Sequence, residues 1–291
     1  RLIAAVPHGT TKDSVADTQN TLSETPVLEV KNLRKTYVTA RGLFVQKRIV
    51  KAVDDVSFTV KRGKTLGIVG ESGSGKSTIG KCLLKLIEID GGQMLIDGKD
   101  IAPLSAAQFR PQRHKIQMIF QDPFASLNPR HTVGRILMDG PMANGVPRAQ
   151  AEQRARELLR LVELEESAFD RYPNAFSGGQ RQRIGIARAL ALDPELLVAD
   201  ESVSALDVSV QAQVLKLLQD IQQRLQVAMI FITHDLRVAA QVCDEIVVMH
   251  QGRIVEQGTP ANVFDQPQDK YTQTLIAAIP GQTWKPMAAQ A

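Results

Sequence analysis

The stretch Gly70-Glu71-Ser72-Gly73-Ser74-Gly75-Lys76-Ser77 has the spacing G-x-x-x-x-G-K-[ST]. That spacing makes an anion cradle. Its glycines let backbone N–H groups turn toward phosphate oxygens, and the helix that follows adds the partial positive charge of its N-terminus. Lys76 can reach the β- and γ-phosphates of a nucleotide, and the Ser77 hydroxyl can ligate Mg2+. Gly70, Ser72, Gly73, Gly75, Lys76, Ser77 and Thr78 are therefore the candidate phosphate-binding residues. A bare cradle still lacks an acid to hold the metal, a group to activate water and a lid. Asp200 and Glu201 follow the apolar run 196–199, which puts an acid at a strand end where it can hold Mg2+. The adjacent Glu201 can orient the attacking water. Gln121 also ends an apolar run and offers a neutral oxygen to Mg2+ or water. His234 ends another, where a γ-phosphate would lie. Each taken alone has a plainer explanation: a Gly/Ser turn, a surface acid pair, a structural histidine. Together in one chain they point to a single phosphoryl-transfer site. Lys76, Gln121, Glu201 and His234 are its candidate catalytic groups, and Ser77, Gln121 and Asp200 its candidate metal ligands.

Ser177-Gly178-Gly179-Gln180 opens a helix at 181–192 and reads as a second glycine-rich anion site. One nucleotide hardly needs two cradles from one protomer. The economical explanation is a head-to-tail dimer, in which each chain's Ser177, Gly178, Gly179 and Gln180 close over the other chain's nucleotide.

The elements that must position these residues follow from periodicity. Residues 66–69 read as a short buried strand, and 78–86 as a helix packed on one side. Before them, alternating segments at 27–30, 36–38 and 50–60 predict an antiparallel sheet, with a loop or hairpin excursion at 39–48. Short strands near 93–96 and 116–121 follow. Helical patterning dominates 132–172, most clearly 150–165, and predicts a helical subdomain at about 122–176 inserted into the core. Strands at 196–201 and 227–233 flank a helix at 210–225, and 245–255 suits a final hairpin around Gln251-Gly252. Strands alternating with helices predict a mainly parallel sheet, with ligands at its carboxyl ends. The fold class expected is α/β: a P-loop NTPase core with an N-terminal antiparallel β subdomain and an inserted α-helical subdomain.

Composition narrows the class. The 291 residues carry 35 basic and 31 acidic side chains, a net charge of +4 with no basic block, which argues against direct nucleic-acid binding. No apolar run approaches the length that crosses a bilayer, so work at a membrane would need other subunits. The two cysteines, Cys82 and Cys243, lie far apart in apolar settings and read as reduced packing residues. Near the start, Leu2-Ile3-Ala4-Ala5-Val6-Pro7 nearly repeats Leu275-Ile276-Ala277-Ala278-Ile279-Pro280. A period close to the chain's length suggests the tail of a preceding copy of the same domain. The expected organisation is thus 1–26 as that tail plus a flexible linker, 27–281 as one domain, and 282–291 as a flexible tail.

The ordered set of cradle, Gln121, Ser177-Gly178-Gly179-Gln180, Asp200-Glu201, Ser204-Ala205-Leu206-Asp207 and His234 resembles the ATP-binding cassette of ABC transporters. The resemblance covers about residues 27–281. It implies an ATPase using ATP and Mg2+, places Asp207 near the nucleotide, and places Tyr37 where the family has an aromatic that stacks on adenine. Phe120-Gln121-Asp122-Pro123-Phe124-Ala125-Ser126-Leu127-Asn128-Pro129-Arg130 is similar to the ATPase subunits of oligopeptide, dipeptide, glutathione and nickel importers. So are the segment from Ser204 to Gln213 and the tail Tyr271-Thr272-Gln273-Thr274-Leu275. In those bacterial systems two ATPase domains, some fused in one chain, pair with two membrane permeases and a periplasmic solute-binding protein. The resemblance therefore implies a location at the cytoplasmic face of the inner membrane. Two departures flank the chemistry: Phe176 where the family has leucine, and Ser202 where it has proline. Some relatives bind iron–sulfur through a C-terminal cysteine cluster, and none is expected here. A soluble ABC ATPase acting on ribosomes or DNA would share the whole ATP site, and is the alternative from a different class. A nucleotide-binding but inactive regulatory half is disfavoured by the presence of Lys76, Gln121, Glu201 and His234.

Overall fold

The computed structural model describes residues 26–39, 48–204 and 206–279. The expected tail at 282–291 and all but the edges of the expected linker at 1–26 and excursion at 39–48 lie outside these residues; Pro26, Thr39 and Arg48 fall in strands instead. Strands β1 (Pro26–Thr39) and β2 (Arg48–Lys61) pair antiparallel. The two expected segments of β1 are joined into one strand. Its register shifts between Val30 and Leu33, where Asn32 adopts a left-handed φ of 50°, which marks a bulge rather than a break.

Strand β3 (Thr65–Val69) leads into helix α1 (Lys76–Leu83). The helix is shorter than the expected 78–86 at its far end. Lys85 turns left-handed (φ 49°), and its Nζ donates to the carbonyls of Ile101, Ala102 and Leu104. Strands β4 (Gly91–Ile96) and β5 (Lys99–Asp100) then join the antiparallel sheet, whose order is β2-β1-β4-β5.

Strand β6 (Ile116–Ile119) starts the other wall of the parallel sheet. Beyond it come α2 (Val133–Ala143), α3 (Arg148–Leu161) and α4 (Gly178–Leu190). Helix α4 packs on α2 and α3 and also on β6, so it ties the helical region to the core. Strand β7 (Leu196–Asp200) follows, then α5 (Val208–Leu225), β8 (Ala228–Thr233), α6 (Leu236–Val242), β9 (Glu245–His250) and β10 (Arg253–Gly258). Helices α7 (Pro260–Asp265) and α8 (Lys270–Ala277) close the described chain.

The second sheet has the order β10-β9-β3-β8-β7-β6. All its pairings are parallel except the β9–β10 hairpin. Strands β3, β7 and β8 are buried along their whole length, as expected where helices or a second layer cover both faces. Their side chains split by the two-residue period. Leu196, Val198, Ile230 and Ile232 pack toward α1 and the antiparallel sheet, with Leu33, Val56, Ile79 and Leu83. Leu197, Ala199, Met229 and Phe231 pack the other way, with Ile184, Leu218 and Leu236. The ends of β3, β6, β7 and β8 therefore lie side by side at one edge of the core. This is the α/β architecture expected from the sequence, with a mainly parallel sheet, an antiparallel sheet and a helical region.

Candidate active site

Between β3 and α1 the backbone is shaped by three glycines in left-handed territory: Gly70 (φ 147°), Gly73 (φ 84°) and Gly75 (φ 108°). Two of them also sit against other backbone. A Cβ on Gly70 would lie 2.2 Å from the Met249 carbonyl oxygen, and one on Gly75 would lie 2.1 Å from that of Ala52. At Gly73 the space is open. The loop is thus pressed onto β2 and β9, with its middle facing outward. Helix α1 starts from Gly75 with no side chain capping it, so the N–H groups of its first turn are served by no capping oxygen. A phosphate suits that helix end. A cavity of about 350 Å³ lies there, lined by Val50, Lys51, Ala52, Ser72, Gly73, Gly75, Lys76, Ser77, Thr78, Glu201 and Gln251.

Lys76 is 4% exposed. Its Nζ donates to the carbonyls of Gly70 and Glu71, each at 2.7 Å. Burial lowers its pKa, while Glu201, Asp200 and Glu71 oppose that shift. Beside it, the Ser77 hydroxyl donates to Asp200 Oδ1 over 3.0 Å. Asp200 ends β7 and is buried, and that burial raises its pKa despite the Ser77 bond. The pair is a set of hard oxygens at the edge of the cradle.

Glu201 is held in an uncommon geometry. Its φ is 44°, a left-handed conformation that costs a non-glycine residue energy. Three bonds over-determine it: its N–H donates to the Ile232 carbonyl (2.9 Å), and its own carbonyl accepts from the Ser204 N–H (3.1 Å) and hydroxyl (2.9 Å). The kink re-aims the carboxylate. Oε2 accepts from Gln121 Nε2 at 2.9 Å, and Oε1 lies 3.4 Å from His234 Nδ1. Side chains from the ends of β6, β7 and β8 thus converge on the water-activating candidate. A carboxylate so placed can hold a water against a bound phosphate.

The remaining expected residues fall elsewhere. Residues 177–180 line neither this cavity nor the larger groove described below. Ser177 instead caps its own helix: its hydroxyl accepts from Gln180 N–H (3.3 Å), and Gln180 Oε1 accepts from Ser177 N–H (3.0 Å). This reciprocal capping box leaves the Ser177 hydroxyl proton free to donate. A Cβ on Gly179 would meet Val210 at 2.4 Å, so this glycine is where α4 approaches the start of α5. Among the described residues, a Cβ on Gly178 would meet only Leu206, at 3.9 Å. Asp207 caps α5, accepting from Val210 N–H (3.0 Å) and the Ser209 hydroxyl (2.7 Å), and the Ser209 bond leads the lowering of its pKa. Tyr37 does not line the cavity. It is 38% exposed on β1, opposite Val50, which does line it. Phe176 is buried, its ring 4.4 Å from the Arg171 guanidinium. Ser202 is buried too, and its hydroxyl has no hydrogen-bond partner among the described residues.

A groove of about 1000 Å³ runs between α1, β6 and the helical region. Ser77, Gln121 and Asp200 line its inner end, and Phe120, Ile136, Leu137 and Arg188 its walls. Arg188, on α4, donates to the Ser126 carbonyl and lies 5.5 Å from the Phe120 ring, next to Gln121. Sequence reasoning missed Arg188 because an arginine on a helix face carries no signal of what it reaches across to.

The parallel sheet, the glycine loop opening onto α1 and the acids at the end of β7 define a P-loop nucleotide hydrolase. Residues 53–204 match the family profile described as ABC transporter. A Brucella ovis protein, provisionally named a peptide import ATP-binding protein, is 52% identical over 260 residues, covering 89% of this chain and 80% of its own length. The dipeptide transport ATP-binding protein DppF of Escherichia coli is 47% identical over 265 residues, 90% of this chain and 79% of that protein. Among solved structures, a dimeric ATP-binding cassette in a post-hydrolysis state with ADP and Pi superposes with a TM-score of 0.70 at 30% identity, covering 80% of this chain and 98% of its own. The chain belongs to the ABC transporter family, as an ATP-binding, ATP-hydrolysing domain.

Proposed function

We propose that this domain powers a bacterial importer of peptides or related small solutes. The observation that carries the proposal is the 47–52% identity, over about nine tenths of the chain, to proteins named for peptide import and dipeptide transport. Two such domains work head to tail. Each nucleotide lies on one domain's glycine loop and Lys76, under Ser177, Gly178, Gly179 and Gln180 of the other, with Asp207 close by. Two features support this. Residues 177–180 line neither cavity of their own chain, and Ser177 keeps a hydroxyl proton to donate outward. The adenine stacks on Tyr37.

Ser77 and Asp200 hold Mg2+, with Gln121 as the further ligand. A buried carboxylate beside a hydroxyl suits an ion that takes one or two protein oxygens and completes its shell with water and substrate phosphates. When bound, Mg2+ neutralises phosphate charge. Glu201, fixed between Gln121 and His234, orients the attacking water, and His234 contacts the γ-phosphate. Phosphoryl transfer then rests on positioning and charge neutralisation rather than on a covalent intermediate.

The groove beside Gln121 receives the membrane permeases, of which there are two, served by a periplasmic solute-binding protein. The domain sits peripherally on the cytoplasmic face of the inner membrane, a location supported by its likeness to proteins named for peptide import and dipeptide transport; no helix among the described residues is long and apolar enough to cross a membrane. Near-balanced charge disfavours the alternative, an ATPase acting on ribosomes or DNA. Affinity purification of the chain from its native cells tests the choice. Two membrane-spanning permeases should co-purify, and proteoliposomes holding the assembly and its binding protein should take up peptides only with ATP. Co-purification with ribosomes and no permease would refute the proposal.

A further inference from the structure

The first corner of the glycine loop is held from outside by the C-terminal helix. Tyr271 lies in the first turn of α8, and its hydroxyl accepts a hydrogen bond from the Glu71 backbone N–H over 3.1 Å. Its ring stacks on His250 with centroids 3.9 Å apart and planes 5° from parallel. His250 follows Met249, the residue whose carbonyl Gly70 packs against. Gly70 and Glu71 are thus pinned by one unit, β9 with α8. They are also the two residues whose carbonyls Lys76 grips.

The support behind Tyr271 is itself anchored. Asp269 caps α8, accepting from Tyr271 N–H at 2.8 Å. The Glu256 carboxylate on β10 accepts from the N–H groups of Gln268 (2.9 Å) and Asp269 (3.2 Å). A chain of bonds therefore runs from β10 through the α8 cap and the Tyr271 ring to the peptide of Glu71. Burial raises the Tyr271 pKa, which keeps it a neutral phenol at working pH.

We propose that Tyr271 is a positioning residue for nucleotide binding: through the Glu71 N–H it fixes the corner of the loop that carries the Lys76 carbonyl partners. It acts on the cradle and touches no reacting atom. The inference rests on the reading of this loop as the ATP site. Tyr271→Phe removes the hydroxyl and keeps the stacked ring; Tyr271→Ala removes both. With the full chain free of nucleotide, hydrogen–deuterium exchange at the Glu71 amide should quicken in Tyr271→Phe while amides of β7 and β8 exchange as in wild type. ATP affinity, titrated with a fluorescent ATP analogue, should weaken roughly three- to tenfold, the effect of one net hydrogen bond. KM for ATP should rise in step, with kcat within twofold of wild type and the melting temperature within about 4 °C of wild type. His250→Phe keeps an aromatic partner and should bind ATP like wild type. Wild-type exchange at Glu71 and wild-type ATP affinity in Tyr271→Phe would overturn the inference, even with Lys76→Ala still abolishing binding. Loss of binding only in proportion to a lowered melting temperature would overturn it equally, because Tyr271 would then serve only to hold α8 in place.

Discussion

Gln121→Ala should slow hydrolysis while leaving ATP affinity near wild type. Among the described residues, Gln121 Nε2 gives Glu201 its one short side-chain bond, 2.9 Å to Oε2, and the other neighbour, His234 Nδ1, stands at 3.4 Å. Removing the amide leaves a kinked residue with its carboxylate guided only by the longer contact. A hydrogen bond to a charged group contributes about 1.5–3 kcal/mol. At about 1.36 kcal/mol per factor of ten, full loss of that positioning lowers kcat by roughly 10- to 150-fold. Water replaces part of the lost bond, so a fall near the lower end, about tenfold, is expected. The assay is phosphate release at saturating ATP and Mg2+ with the partner domain present, alongside a nucleotide titration. Gln121 does not line the small cavity, so the titration, run without Mg2+ because Gln121 is also a proposed metal ligand, should be unmoved. A kcat within twofold of wild type, or a weakened ATP affinity at unchanged kcat, would refute the role given to this contact.

Lys76→Ala should abolish nucleotide binding itself, read by the same titration. Gly75→Ala places a Cβ at φ 108° and 2.1 Å from the Ala52 carbonyl oxygen, so both ATP binding and the melting temperature should fall, the latter by more than roughly 4 °C. Ser177→Ala removes a helix cap of about 1 kcal/mol, a shift of about 2–4 °C, yet should reduce hydrolysis far beyond that because the hydroxyl also serves the partner's nucleotide. Asp200 has a folded-state pKa raised by burial, so its own contribution to nucleotide-free stability is most favourable below its unfolded pKa and is lost as pH rises through the folded one. Asp200→Asn keeps an acceptor for Ser77 and removes that charge. It should raise the nucleotide-free melting temperature at neutral pH and flatten this part of its pH dependence, while Mg2+-dependent hydrolysis is lost.

The cradle and the strand-end residues were legible because each is a local pattern: a glycine run between a strand and a helix, or a polar side chain closing a fully apolar run. Parallel strands bring such ends together, so Gln121, Glu201 and His234, far apart in the chain, meet at one carboxylate. What stayed hidden was geometry made by tertiary contact. The left-handed turn at Glu201 depends on Ile232 and Ser204 gripping its backbone, and no residue type announces it. Ser177 was legible as a phosphate donor, but S-x-x-Q is also a capping box, and in the isolated chain the cap is what forms. The bond from Glu71 to Tyr271 joins residues 200 positions apart, and no periodicity points to it. Likewise, β4 and β5 joining β1 rather than the parallel sheet follows from how the chain returns after α1, not from their own short sequences.

Glu201→Gln tests the chemistry most directly. The substitution keeps the side chain's shape and an oxygen for Gln121 to bond, and removes only the charge that orients water. A single-turnover experiment with radiolabelled ATP, Mg2+ and the partner domain should find ATP bound tightly and uncleaved in a closed dimer. ADP formed at a substantial fraction of the wild-type rate would contradict the assignment of Glu201 as the residue that drives hydrolysis.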